Sequence, residues 1–301
     1  MSHHSTLSTL STTGVQVAIG PFLVHVRAES PLVHQYLEML YADFPMNGEA
    51  GGHFDIQLLS TGGVRRWVRR QTNLVVNGER PFLPLPADLA GALFEWTLNY
   101  CVGRDACRFV AIHAAVVERD GYAVMVSGES GAGKSTLCAA LVLAGWRLLS
   151  DEFALLHPDT GMLTPLPRPV SLKNTSIEII RRRGPDVVFG PERIDMENAR
   201  FVHMKPPASS VRRASEPAIP RVVIFPRWRA GVATSLTRVR SADVLLRLAD
   251  QSFNYDFLGV RGFDAIVDLV RRVEGYELEY SDLDDVLPRL AGLCHAGARP
   301  A

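Results

Sequence analysis

The stretch Gly128-Glu129-Ser130-Gly131-Ala132-Gly133-Lys134-Ser135-Thr136 follows the apolar run Tyr122–Val126 and precedes a helical pattern that ends at Gly145. It matches G-x-x-x-x-G-K-[ST] at every fixed position. The residue types have physical work to do. Glycines let successive backbone N–H groups turn inward around an anion with no Cβ in the way. The helix that follows adds partial positive charge at its N-terminus. Lys134 is expected to reach the β- and γ-phosphates of a nucleoside triphosphate, and the Ser135 hydroxyl to ligate Mg²⁺. Thr136 is next in line for the α-phosphate. A chance Gly-rich turn is the competing explanation, and the complete motif with its strand and helix flanks argues against it.

Working outward, the short apolar run Trp146–Leu149 ends in Ser150-Asp151-Glu152. If Tyr122–Val126 and Trp146–Leu149 are parallel strands joined by the helix after the loop, a right-handed crossover brings both C-terminal ends to one sheet edge. Asp151 and Glu152 then face the phosphates. A carboxylate there can hold Mg²⁺ or accept the proton of an attacking hydroxyl, and position alone does not say which does which. His113, within the apolar run Phe109–Val117, is either a third member of this group or a core histidine.

The rest of the chain supplies a frame. Its 301 residues suit two domains. We expect a disordered lead-in over 1–13, a small α+β domain over 14–104, and an α/β phosphate-loop domain over 105–301. In the first domain, Val15–Val26 reads as strand broken at Gly20-Pro21, Leu32–Phe44 as helix, and Phe54–Leu59 as strand. Trp67–Val76 and Arg80–Leu85 flank a hairpin turn at Asn77-Gly78-Glu79, and Ala87–Cys101 reads as helix. The stretch from Pro158 to about Pro220 reads as loop-rich. Within it, Arg181–Arg183 and His203–Pro207 suggest a lid or acceptor-recognition element that orders on nucleotide binding.

Lysine plus arginine equal aspartate plus glutamate at 32 each, so a general polyanion-binding role, nucleic acid included, is not expected. No stretch reaches 18 apolar residues, so no membrane span is expected. Cys101, Cys107, Cys138 and Cys294 lack metal or redox spacing and read as reduced, mostly buried residues of a cytoplasmic protein.

Ile112-His113-Ala114-Ala115-Val116, the phosphate loop, and Gly145-Trp146-Arg147-Leu148-Leu149-Ser150-Asp151-Glu152 together resemble the kinase domain of HPr kinase/phosphorylase, whose fold is shared with phosphoenolpyruvate carboxykinase. Pro167–Lys173 and Tyr276–Leu283 look like the branch described as HPr kinase-related kinases. The resemblance implies ATP and Mg²⁺, with phosphoryl transfer to a hydroxyl of a serine in a protein or peptide, or of a small molecule. It makes Asp151 the acceptor of the hydroxyl proton. Glu152 stands where the family has a second aspartate near the metal, and His113 matches the family histidine near the γ-phosphate. Arg168 and Lys173 are cations placed to hold the γ-phosphate or the acceptor. His113 is followed by Ala114 where the family commonly has glycine, and the N-terminal segment does not read like the family's regulatory domain. Self-association is left open.

Two other readings stand beside the kinase. One is a nucleotide-dependent switch or scaffold with slow hydrolysis and no acceptor, although the base-reading Asn-Lys-x-Asp motif of Ras-like switches is absent. The other is a carboxykinase-like enzyme using His203 and Lys205 at a Mn²⁺ site.

Overall fold

The computed structural model describes residues 9–48, 51–61 and 70–295. Alternation of apolar and polar residues builds the first sheet, because successive side chains on a strand point to opposite faces. β1 (Val15–Ile19) and β2 (Phe22–Ala28) form a hairpin over Gly20-Pro21, and Phe22, Val24, Val26 and Ala28 all point inward. Helix α1 (Pro31–Leu40), β3 (Met46–Asn47), β4 (Phe54–Ser60), β5 (Gln71–Val76) and β6 (Leu85–Pro86) follow, giving the sheet order β3-β1-β2-β4-β5-β6. Helix α1 and α2 (Ala90–Asp105) cover its apolar face. Of the expected lead-in, residues 1–8 lie outside the described residues. Thr9–Thr13 depart from the expectation: Leu10 is fully buried and its carbonyl accepts a hydrogen bond from the Ala28 amide (2.9 Å). One apolar side chain is enough to dock this turn. Part of the expected strand Trp67–Val76 also falls outside the described residues.

The second sheet is an α/β layer. It comprises β7 (Val110–Arg119), β8 (Tyr122–Ser127), β9 (Arg147–Ser150), β10 (Phe153–Leu156) and β11 (Leu163–Thr164). Three strands from a later stretch complete it and are described below. Helix α3 (Lys134–Leu143) connects β8 to β9. β8 and β9 run in the same direction, as expected, but they are not neighbours. Both lie antiparallel to β7, one on each side of it. β10 continues the line of β9 along β7.

The segment expected to be loop-rich holds a three-stranded sheet instead. Its elements are β12 (Val170–Lys173), α4 (Thr175–Arg183), β13 (Arg193–Ile194), β14 (Arg200–Met204) and α5 (Ala208–Arg212), in the order β12-β14-β13. The prolines that suggested loop, at 165, 167, 169, 206 and 207, flank these elements rather than interrupt them. Phe201, Val202, His203 and Met204 are buried. The arginine run closes α4, where cations oppose the helix dipole, and it is ion-paired: Arg181 to Glu192 (3.0 Å) and Arg183 to Asp284 (2.6 Å). These contacts replace the expected lid.

β15 (Ile219–Trp228), β16 (Ser235–Val239), α6 (Ser241–Asp250), α7 (Val260–Arg272), β17 (Glu274–Tyr280) and α8 (Leu283–His295) complete the layer. β8, β15 and β17 are mutually parallel; β8 and β15 carry apolar runs because both their faces are covered, whereas β17 intersperses glutamates with its apolar residues. One face packs on α3, α4 and α8 through Leu137, Ile177 and Val286, the other on α6 and α7 through Leu248 and Ile266. The core of the first sheet extends into Phe109, Ala111, Phe153 and Leu155 of the second, so one apolar cluster crosses the junction at residue 105.

Candidate phosphate-transfer site

The glycine positions of the phosphate loop are needed for its backbone path. Gly128, Gly131 and Gly133 have φ of 148°, 82° and 97°, values that L side chains rarely adopt. At Gly133 space is short as well, since a Cβ would lie 2.8 Å from the Tyr280 hydroxyl. We expect Gly133→Ala to cost about 1–2 kcal/mol of stability and about tenfold or more in nucleotide affinity. Calorimetric titration with ATP checks this, and undiminished affinity would show that the loop tolerates a different path.

Lys134 opens α3 and is 8% exposed. Its ammonium donates to the Gly128 and Glu129 carbonyls (2.7 and 3.0 Å), closing the loop on itself. Burial lowers its pKa, against the opposing pull of Glu152 and Asp151. That opposition places the acidic pair close to the loop's lysine, across one strand of the sheet.

Asp151 and Glu152 sit in the two-residue gap between β9 and β10. Asp151 is 5% exposed. Its Oδ2 accepts the Ser171 amide (3.0 Å), while Oδ1 is buried with no hydrogen-bond partner. Burial, reinforced by the Glu152 charge, pushes its carboxyl up to about 7; the Ser171 amide, the Ser135 hydroxyl and Arg168 pull the other way. Burial also works to raise Glu152. There His113, Arg168 and Lys134 outweigh it and hold the carboxyl below its usual range. The two neighbours are thus driven apart, one toward holding a proton and one toward ionisation, the pattern of groups divided between proton transfer and charge stabilisation. His113 lies with its Nε2 3.5 Å from Glu152 Oε2, and its backbone amide donates to the Gln251 carbonyl (2.7 Å). It is a member of the group and is half-buried.

A cleft of about 590 Å³ opens beside Gly128–Ala132 and runs past Pro226, Trp228 and Arg247 to Asp250 and Gln251, next to the His113 strand. Ser135 adjoins Asp151, and Thr136 follows on the first turn of α3.

The two loop cations are placed differently. Arg168 influences both carboxylates, but its guanidinium turns away to α2. There it meets Glu95 Oε2 (3.8 Å) and donates to Asn99 Oδ1. Lys173 pairs with Asp195 (3.2 Å) on the three-stranded sheet, away from the acidic pair. His203 and Lys205 do not converge on a metal. His203 packs edge-on to Tyr36 and Phe201, and Lys205 pairs with Asp43 (2.7 Å). Among the described residues no three His, Cys, Asp or Glu side chains form a metal cluster. Glu95, Asn99, Tyr280 and Gln251 were missed from sequence. Glu95 and Asn99, four apart on one side of a largely apolar helix, were the available signal.

No family model matches the chain. A curated HPr kinase/phosphorylase from Nitrosomonas europaea is 25% identical over 190 residues, covering 60% of this chain and 56% of the relative. The chain therefore spans little more than half the length of that relative. The solved HPr(Ser) kinase/phosphatase of Coxiella burnetii matches at 14% identity with a TM-score of 0.29, over 62% of this chain and 99% of that one. That score is too low to bear on the fold. The chain is an α/β protein with a phosphate-loop motif at the C-terminal end of a parallel strand. Its sequence is HPr kinase-like, and the resemblance to HPr kinase/phosphorylase is borne out by the curated relative.

Proposed function

We propose that the chain is an ATP- and Mg²⁺-dependent kinase that moves the γ-phosphate to a hydroxyl of a protein or peptide serine or of a small molecule. The observation that carries this reading is the acidic pair beside the phosphate-loop lysine, Asp151 buried and Glu152 half-buried, with their proton affinities driven apart. Binding starts at residues 128–136, where the Lys134 ammonium exchanges the Gly128 and Glu129 carbonyls for β- and γ-phosphate oxygens. The acceptor hydroxyl gives its proton to Asp151 Oδ1 as its oxygen attacks phosphorus in line. The bond from the γ-phosphorus to the bridging oxygen breaks, and the nucleoside diphosphate leaves. Lys134 offsets the spreading negative charge, and His113 fixes the ionised Glu152.

Ser135, Asp151 and Glu152 are a donor set of the oxygen type that Mg²⁺ takes together with phosphate oxygens. When bound, the ion would neutralise phosphate charge. ATP rather than another triphosphate follows the resemblance. Arg168 is assigned to tuning the acidic pair rather than to contacting phosphate, and Lys173 to the edge of the acceptor side.

Residues 14–104 are proposed as a unit that docks on the kinase layer and braces its acidic pair through α2. The four cysteines form no disulfide, which fits a cytoplasmic setting. Among the described residues no helix is long and apolar enough to cross a membrane.

The test is γ-labelled ATP with Mg²⁺, cell lysate, serine peptides and hydroxylated metabolites, run with the wild type and Lys134→Met. Label entering one species with the wild type alone supports the kinase. Nucleotide binding with no labelled acceptor would sink it in favour of the switch.

Only the ionised form of Asp151 can take the proton, so activity is expected to rise as pH climbs through about 7 and to fall away below it. A rate–pH profile flat between pH 6 and 8 (a window of about one unit on each side) would overturn that assignment.

A further inference from the structure

A second cavity, of about 160 Å³, lies between α1, α2 and the three-stranded sheet. Its walls include Tyr36, Gly91, Phe189, Arg193, Phe201 and His203, with no residue of the phosphate loop or acidic pair among them. Close-packed interiors leave few voids larger than a water molecule. This one matches the volume of about 150 Å³ that accepts benzene in an engineered apolar core.

Unlike that dry core, the cavity has a polar wall. His203 is 4% exposed, and neither ring nitrogen has a hydrogen-bond partner among the described residues. Its ring packs edge-on to Tyr36 (5.8 Å between centroids) and Phe201 (5.7 Å), and the residue lines the cavity. Burial, with the Arg168 charge, lowers its pKa to about 4, and at neutral pH it is an uncharged imidazole offering one donor and one acceptor. A hydrogen-bonding partner for this imidazole adds to what ring burial contributes. Gly91 keeps the room available: a Cβ there would fall 2.5 Å from the Tyr36 ring.

We propose that this cavity binds a ring-sized organic molecule carrying one hydroxyl or carboxyl group. The polar end bonds His203, and the ring packs among Tyr36, Phe189 and Phe201. Occupancy reaches the acidic pair along a short route: the Tyr36 hydroxyl donates to Glu95 (3.1 Å), and Glu95 pairs with Arg168, whose charge acts on both carboxylates. The coupling rests on the kinase reading; the binding site does not.

The site is tested on the full chain by ¹⁹F NMR with 4-fluorophenol and 4-fluorobenzoate. Saturable line broadening of at least one probe is expected. Ala92→Leu, which fills the cavity from α2, and His203→Phe, which removes the polar partner, should each weaken binding about tenfold or more. His203→Gln should restore part of it. No binding of either probe, or binding unchanged in Ala92→Leu, overturns the site, and Ala92→Leu decides the matter if His203→Phe does not fold. With the bound probe at saturation, the label-transfer rate is expected to change about fivefold or more. An unchanged rate with binding intact overturns the coupling alone. Absence of transfer even without probe counts against the kinase and leaves the site standing.

Discussion

Asp151→Asn is expected to lower phosphoryl transfer about 100- to 10,000-fold, the usual worth of a positioned general base, while raising the melting temperature at pH 8. An amide cannot take the acceptor's proton, yet its oxygen can still accept the Ser171 amide, so the backbone around it stays in place. The stability gain follows from the raised pKa. The folded state holds the Asp151 proton up to about 7, whereas an ordinary aspartate releases it near 3.8. The stabilisation that goes with the retained proton is complete below the lower value and is lost as pH rises through the upper one. Asparagine has no proton to lose. Melting curves should therefore coincide near pH 4 and separate above pH 7, with the variant higher. Full activity in the variant would remove Asp151 from proton transfer, and parallel melting curves would show that its carboxyl does not ionise against burial.

Arg168→Met should be the most damaging substitution for stability. Arg168 and Glu95 are each about 5% exposed in their side chains, and Glu95 also receives the hydroxyls of Tyr36 and Tyr41 (3.1 and 2.7 Å). Removing one member of a buried pair leaves the other charge uncompensated, at about 3–5 kcal/mol. Burial already raises the Glu95 pKa despite Arg168. Without the arginine it rises further, so the penalty should be smaller in acid, where Glu95 takes up a proton, and larger at pH 8. Adding Glu95→Gln should recover much of the loss. Urea denaturation at the two pH values measures both effects. A loss independent of pH and not relieved in the double variant would mean that packing of the arginine stem, rather than its charge, holds the junction.

The site and the frame differed in how far sequence could reach them. The phosphate loop was legible because its spacing is fixed by the backbone path, and the positive φ values at Gly128, Gly131 and Gly133 are the physical content of the motif. The direction of β8 and β9 was legible from the helix between them, but the strand separating them was not: β7 forms a local hairpin with β8, and its pairing with β9, some thirty residues on, is one that local pattern does not encode. Asp151-Glu152 and His113 were found from placement and resemblance. Arg168 was singled out as a phosphate cation, whereas its guanidinium is committed to Glu95 on a helix some 70 residues earlier in the chain. The short strands β12, β13 and β14 and helix α5 escaped because two to five residues carry too little periodicity to outweigh turn formers.

The acidic pair stands where a single line of chain lets go of its neighbour for two residues. Ser150 faces Val116 and Phe153 faces His113, so the ladder resumes in the same register that it left. The dipeptide is in effect a socket: both ends are clamped by sheet pairing, and neither residue between them owes its main chain to a named strand. The letters in that socket can be exchanged without re-threading the sheet. Glu152 for aspartate alters reach by one methylene, and Asp151 for asparagine erases a proton acceptor. On the proposed kinase reading, a lineage built on this scaffold can move between transferring a phosphate and merely holding one by a change within this dipeptide, with the architecture as an unaltered inheritance.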